Sequence, residues 1–199
     1  MKHDERNFLI HPSYIAMFLL LAGVTALFLG FSGAYLYSRI QAGTPPVRLP
    51  PLFYFNTLIL IASSLSLKWA KKSYLNDHTK NYKIALIVTL VLTFLFLIAQ
   101  YLAWNQLYNS DIFVNYNNMA SYMYLISGVH FAHIVAGIPF LLMFVINAVR
   151  KIKSPISVLL YFSDLAKKRR LDLFYIYWNF LDGLWIYLVV FFLVNYLIK

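Results

Sequence analysis

Five long apolar stretches take up nearly all of this 199-residue chain, and they dictate what it can fold into. They run over about 13–38, 52–73, 82–106, 119–149 and 172–197. Each reaches the ~20 residues that cross ~30 Å of hydrocarbon at about 1.5 Å per residue. Backbone N–H and C=O groups find no water inside a bilayer and must pair within their own segment, so stretches of this kind are helices. The expected fold is an all-α integral membrane protein, a bundle of five transmembrane helices forming one transmembrane domain over residues 1–199. Too little chain is left over for a soluble module. A composition 61% hydrophobic and only 12% charged places it outside the range of soluble domains. Met1 to His11 is polar, and the first apolar run is long and lacks a small-residue cleavage site, so no cleavable signal is expected. With no cysteine, neither disulfides nor thiolate metal centres are available.

The net charge of +10 suggests nucleic acid until its distribution is read. If the N-terminus and the second and fourth connections share one face, that face collects Lys2, Arg6, Lys68, Lys71, Lys72, Lys80, Lys83, Arg150, Lys151, Lys153, Lys167, Lys168, Arg169 and Arg170. The other face holds Arg39, Arg48 and Lys199. Fourteen cations against three is the asymmetry that sets membrane topology, so a cytoplasmic N-terminus and an extracytoplasmic C-terminus are expected, with no nucleic-acid partner. The Lys167–Arg170 run sets orientation and touches anionic lipid.

The polar residues inside the spans are few. In the first span Gly23, Ala26, Gly30, Gly33 and Ala34 form a small-residue path that would let a neighbouring helix approach closely. The proline-rich connection from Gln41 to Pro51 is non-helical and carries Arg48, which reads either as a contact for a lipid head group or a partner carboxylate or as a solvated loop arginine. In the second span Asn56, Thr57, Ser63 and Ser64, and in the third Gln100, read as helix-packing groups. The fourth span places Ser127, His130, His133 and Gly137 along one side, followed by Pro139, which should bend the helix near Val135. After it, Ser157 to Asp164 is expected as a short interfacial helix. The fifth span carries Asp182, with Trp178 and Trp185 at i−4 and i+3 and Asn179 beside them. An ionised group at mid-bilayer costs at least about 2.5 kcal/mol, so Asp182 should face protein and hold a partner. His130 and Asp182 each lie about 15 Å into the membrane at 1.5 Å per residue. A pairing of Asp182 with His130 or His133 across the seam of the fourth and fifth spans is therefore expected, with separate backbone partners or another subunit as the alternative.

Two histidines and one acid make a thin ligand set for a metal, and one helix cannot supply both axial ligands of a haem. Nucleophilic triads and phosphate-binding glycine loops are missing, so the chain shows no catalytic centre of its own. A proton relay would need titratable groups reaching both faces, and the polar stripe stops within a few turns.

Four motifs in order then resemble one family. Tyr177-Trp-Asn-Phe-Leu-Asp-Gly-Leu-Trp185 is similar to the Y-W-H-F-x-D-x-x-W signature of subunit III of haem-copper oxidases, and His130-Phe-Ala-His-Ile-Val-Ala-Gly137 resembles its H-G-x-H-x-x-x-G. Asn56-Thr57 with Ser63-Ser64 and Ala70 resembles N-T-x-x-L-x-x-S-S and the alanine after it, and Gln100 and Trp104 occupy its Q-x-x-x-[WE] region. The resemblance implies a five-helix subunit III, matching the last five helices of seven-helix forms, in a bacterial cytoplasmic membrane. It implies packing against catalytic subunit I, with subunit II and small subunits nearby and room for a supercomplex with a quinol-oxidising complex. Haem and copper would sit in those partner subunits and none in this chain. The implied role is stabilising subunit I, holding phospholipid and supporting proton uptake in a cytochrome c oxidase. A quinol oxidase is the alternative, and an independent proton-coupled transporter the more distant one. Two positions depart from the pattern. Val24 stands where many members carry glutamate, and Asn179 stands where the signature has histidine, so no proton-transfer role carries over to either.

Overall fold

The computed structural model describes residues 11–151 and 155–198. They form six helices: α1 (Pro12–Ala42), α2 (Pro51–Leu75), α3 (Thr79–Tyr108), α4 (Asn118–Lys151), α5 (Pro155–Phe162) and α6 (Leu165–Leu197). Five of these are long and apolar enough to cross a membrane, and no strand occurs among the described residues. Of the charge asymmetry, Lys2, Arg6, Lys153 and Lys199 lie outside the described residues.

Each helix starts and stops on local chemistry. Pro12 and Pro51 occupy first-turn positions, where a missing N–H costs nothing. The His11 ring caps α1 by accepting from the Ser13 amide at 3.2 Å. Gly43 ends that helix in the left-handed region (φ 58°), where its N–H reaches Arg39 O at 3.0 Å. Asp164 caps α6 by accepting from the amides of Ala166 and Lys167. This cap starts α6 at Leu165, seven residues before the apolar run that marks the span, so Lys167–Arg170 lie within the helix and not in a loop. Hydropathy marks the part of a helix inside hydrocarbon, whereas capping marks where the helix begins. α4 runs unbroken through Pro139. The short interfacial helix lies at Pro155–Phe162, two residues upstream of the expected span.

α2 and α3 form the most extensive pair, and α6 packs on α1, α2 and α4. α1 touches α4 and α6 and is the least buried of the five long helices. Its buried stripe is Val24, Phe28, Ser32 and Tyr35. The small-residue path of Gly23, Ala26, Gly30 and Gly33 is exposed on the other side, and a Cβ built on any of the three glycines meets nothing within 4 Å. The expected close helix approach along that path is therefore not made among the described residues. Large side chains that interdigitate with α4 and α6 decide which side of α1 turns inward. Tyr35 sets its ring edge-on to Phe191 and Phe192, and the Tyr187 hydroxyl lies 2.9 Å from Ser32 Oγ.

The lysine-rich ends of the helices meet at one end of the bundle. There Lys71 Nζ pairs with Asp172 Oδ1 at 2.9 Å, joining α2 to α6. Tyr74 donates to Tyr161 O at 3.1 Å, tying α5 beneath the α2–α3 hairpin. At the opposite end Arg39 holds Asn195 Oδ1 at 2.9 Å and also the Ile198 carbonyl, fastening α1 to the last turn of α6.

Candidate functional site

The polar-aromatic stripe of α6 turns wholly inward. Trp178 and Trp185 are 0% exposed and Asp182 is 4% exposed. Trp178 Nε1 donates to Ser63 Oγ and Trp185 Nε1 to Thr57 Oγ1, both at 3.2 Å. Ser64 donates to Asn179 Oδ1, and Asn179 Nδ2 returns to its own helix at Tyr175 O, 2.7 Å away. Farther into the α2–α3 hairpin, Asn56 Nδ2 donates to Gln100 Oε1 at 2.8 Å. Trp178, Asn179 and Trp185 thus all bond to α2. The seam expected between the fourth and fifth spans is made by rings, by Gly137 and by the Tyr177 hydroxyl on the His133 carbonyl, while the hydrogen bonds of Trp178, Asn179 and Trp185 go to α2.

The α4 side of the junction is steric. A Cβ on Gly137 would lie 2.9 Å from Trp178 Cζ3 and 3.3 Å from Tyr177 Cε1, so only hydrogen fits beneath the indole. The Trp185 ring stacks on Phe53 at 5.3 Å, meets Phe96 edge-on at 5.3 Å and tilts against His130 at 5.1 Å. Gly137 belongs to the motif read from sequence, but the ring that requires it could not be identified from the chain alone.

The two histidines separate. His133 donates from Nδ1 to Val129 O at 2.8 Å in its own helix, its ring lies 5.9 Å from Phe28 of α1, and its carbonyl accepts from Tyr177 at 3.0 Å. His130 is 0% exposed and packs between Phe96 and Trp185. Among the described residues neither His130 ring nitrogen and neither Asp182 oxygen has a hydrogen-bond partner, so the expected Asp182–histidine pairing is not formed. Similar depth had suggested it, but depth leaves the direction around each helix axis open. Three residues on a helix turn through about 300°, which sends His133 toward α1 and His130 toward α3 and α6.

Among the described residues no group of three or more His, Cys, Asp or Glu side chains is placed to hold a metal. His133 has committed Nδ1 to the backbone and His130 is enclosed by rings, so the donor set fits neither a copper nor a haem centre.

Two further features frame this interior. An apolar cleft of about 660 Å³ opens between α1, α4 and α6, lined among others by Leu20, Val24, Phe140 and Met143, with His133, Tyr177 and Arg170 as its polar members. Outside the spans, the Lys167 ammonium at 3.1 Å and the two cap amides hold the Asp164 carboxyl below the ordinary aspartate range. Burial pushes the Tyr161 phenol up. Arg48 lies at the other end of the bundle, exposed, on a separate cavity.

A family model described as Cytochrome c oxidase subunit III matches residues 39–196. Among curated relatives, a protein named Cytochrome c oxidase subunit 3 from Dasypus novemcinctus is 25% identical over 185 residues, covering 87% of this chain and 66% of the relative. The protein of that name from Loxodonta africana is 27% identical over 183 residues, covering 86% and 65%. The chain spans about two thirds of the length of the relatives it matches.

Proposed function

Because this chain belongs to the cytochrome c oxidase subunit III family, we propose that it is the non-catalytic third subunit of a respiratory haem-copper oxidase in a bacterial cytoplasmic membrane. It packs beside catalytic subunit I, lengthens the working life of that subunit, holds phospholipid and supports proton uptake during aerobic electron transport. The haems and coppers belong to its partners. The observation that carries this reading is how the membrane-embedded polar groups are used. Trp178, Trp185, Asn179, Asn56 and Gln100 all bond helix to helix, which ties α2, α3 and α6 into a rigid scaffold. The apolar cleft with Arg170 at its lysine-rich end supports the lipid role, since an acyl chain suits the walls and a head-group phosphate suits the guanidinium.

Affinity purification of the tagged chain from its native membrane tests the reading. The expected result is co-purification of a subunit I with a haem absorption spectrum, and no chromophore on the chain once separated. Asp182→Leu is expected to lower the yield or lifetime of the complex while sparing initial turnover. A chain that purifies alone and carries solute across vesicles, or an intact complex that lacks turnover from the first assay point, would overturn it.

A further inference from the structure

Three fully buried polar side chains on three different helices keep unspent hydrogen-bonding atoms at one level of the bundle. Asn56 of α2, Gln100 of α3 and His130 of α4 are each 0% exposed. The bond from Asn56 Nδ2 to Gln100 Oε1 uses one end of each amide. Asn56 Oδ1, Gln100 Nε2 and both His130 ring nitrogens have no partner among the described residues. Exchanging O and N in both amides would again leave one acceptor and one donor over, so the chemistry of the unspent pair does not depend on the amide orientation. Neighbouring contacts bring the three together. Gln100 lies one turn from Phe96, whose ring is 6.0 Å from that of His130, and one turn the other way from Trp104, whose Nε1 donates at 3.1 Å to Ser127 Oγ, three residues before His130. Asn56 precedes Thr57, which holds the Trp185 indole that tilts against the His130 ring at 5.1 Å. Asp182 stands outside this group. It lies one turn from Trp185 toward the lysine-rich end, whereas Gln100 lies one turn from Phe96 toward the opposite end, and the Phe96 and Trp185 rings meet edge-on at 5.3 Å at the level between.

We propose that Asn56, Gln100 and His130 form a binding site for one ordered water that joins α4 to the α2–α3 hairpin. The water accepts from Gln100 Nε2 and donates to Asn56 Oδ1 and to the His130 nitrogen that carries no proton. Three hydrogen bonds are what a buried water ordinarily makes. An unpaired donor or acceptor is costly inside a membrane, where bulk water is absent, and one small ligand satisfies three of them at once. The open set mixes donors with acceptors and includes no carboxylate. That suits a neutral molecule able to both give and accept, and it does not suit a metal cation, which needs several oxygens and is repelled by the Gln100 N–H. The water adds a second polar tie between α3 and α4 beside the Trp104–Ser127 bond and gives α4 one to α2. The site stands independently of the oxidase assignment.

The test uses the full-length chain in lipid bilayers, labelled with nitrogen-15 histidine and read by proton-detected solid-state NMR. The His130 ring signals, identified by their loss in His130→Gln, are expected to exchange magnetisation with a water resonance. That cross-peak should vanish in Asn56→Leu/Gln100→Leu, where both amides are gone, and stay unchanged in Asp182→Asn. Equal thermal unfolding of the variants checks that they fold, and Gln100→Met serves where the double replacement does not. A wild-type His130 ring in contact with carbon-bound protons alone would overturn the proposal without any variant. So would a water cross-peak that survives loss of the amides, or one that disappears in Asp182→Asn, since the water would then belong to the acid. Ring shifts that follow replacement of sodium by ammonium in the buffer would also overturn it, by showing an ion at the site.

Discussion

Gly137→Ala adds one methyl group at the place where α4 lies closest to α6. The new Cβ would sit 2.9 Å from Trp178 Cζ3 and 3.4 Å from Cε3, inside van der Waals contact. The indole has little freedom to retreat. It is 0% exposed, its Nε1 is bonded to Ser63 Oγ at 3.2 Å, and its ring rests on Phe174 at 5.2 Å. Overpacking of this kind costs about 1–3 kcal/mol. Sliding the ring away also weakens the bond to Ser63, worth about 0.6 kcal/mol on average between membrane helices. Against this, alanine gains about 0.5–1 kcal/mol over glycine inside a helix. The balance is a loss of about 0.6–3 kcal/mol, where propensity alone predicts a gain. Gly30→Ala and Gly128→Ala supply the contrast, since a Cβ at either meets nothing within 4 Å and only the propensity gain remains. Reversible unfolding in mixed micelles, followed by tryptophan fluorescence, reads all three. In a Trp178→Phe background the Gly137→Ala loss should shrink. A Gly137→Ala protein as stable as wild type, or a loss of the same size in both backgrounds, would refute the claim that the Trp178 ring is what demands glycine.

Ser63→Ala strands the Trp178 indole N–H, and Thr57→Ala strands that of Trp185; each should lower stability by about 0.6–2 kcal/mol in the same assay. Asp182→Asn removes no bond made among the described residues, so the isolated protein should stay within about 1 kcal/mol of wild type, and a double-mutant cycle with His130→Gln should be additive within about 0.5 kcal/mol. A coupling well above that would show that the two side chains meet after all. At the α6 cap, the depressed Asp164 carboxyl gives a stabilisation that is complete above the ordinary aspartate value and is lost as the pH falls through the lowered one. The protection of the Ala166 and Lys167 amides, taken as the ratio of intrinsic to observed exchange rate at each pH, should therefore fall on acidification, and Asp164→Asn should remove that pH dependence.

The sequence by itself determined the class of fold and the number of spans, because a bilayer leaves an apolar 20-residue segment no structure but a helix. It also marked the residues that matter for packing: Asn56, Thr57, Ser63, Ser64 and Gln100 are costly in hydrocarbon unless bonded, so their presence announces partners. What it left open was which partner. Trp178, Asp182 and Trp185 define a stripe, but the stripe could have met any neighbouring helix, and only tertiary packing turned it to the hydroxyls of α2. Depth along a helix can be counted from the chain, whereas rotation about its axis cannot, and for that reason Asp182 and His130 lie at similar depth without meeting. The same limit explains the glycines. Gly30 and Gly137 are alike as letters in a helix, yet one faces outward with open space around it and the other lies under a tryptophan. Periodicity fixes which residues share a face; the shapes of all the other helices decide what that face touches.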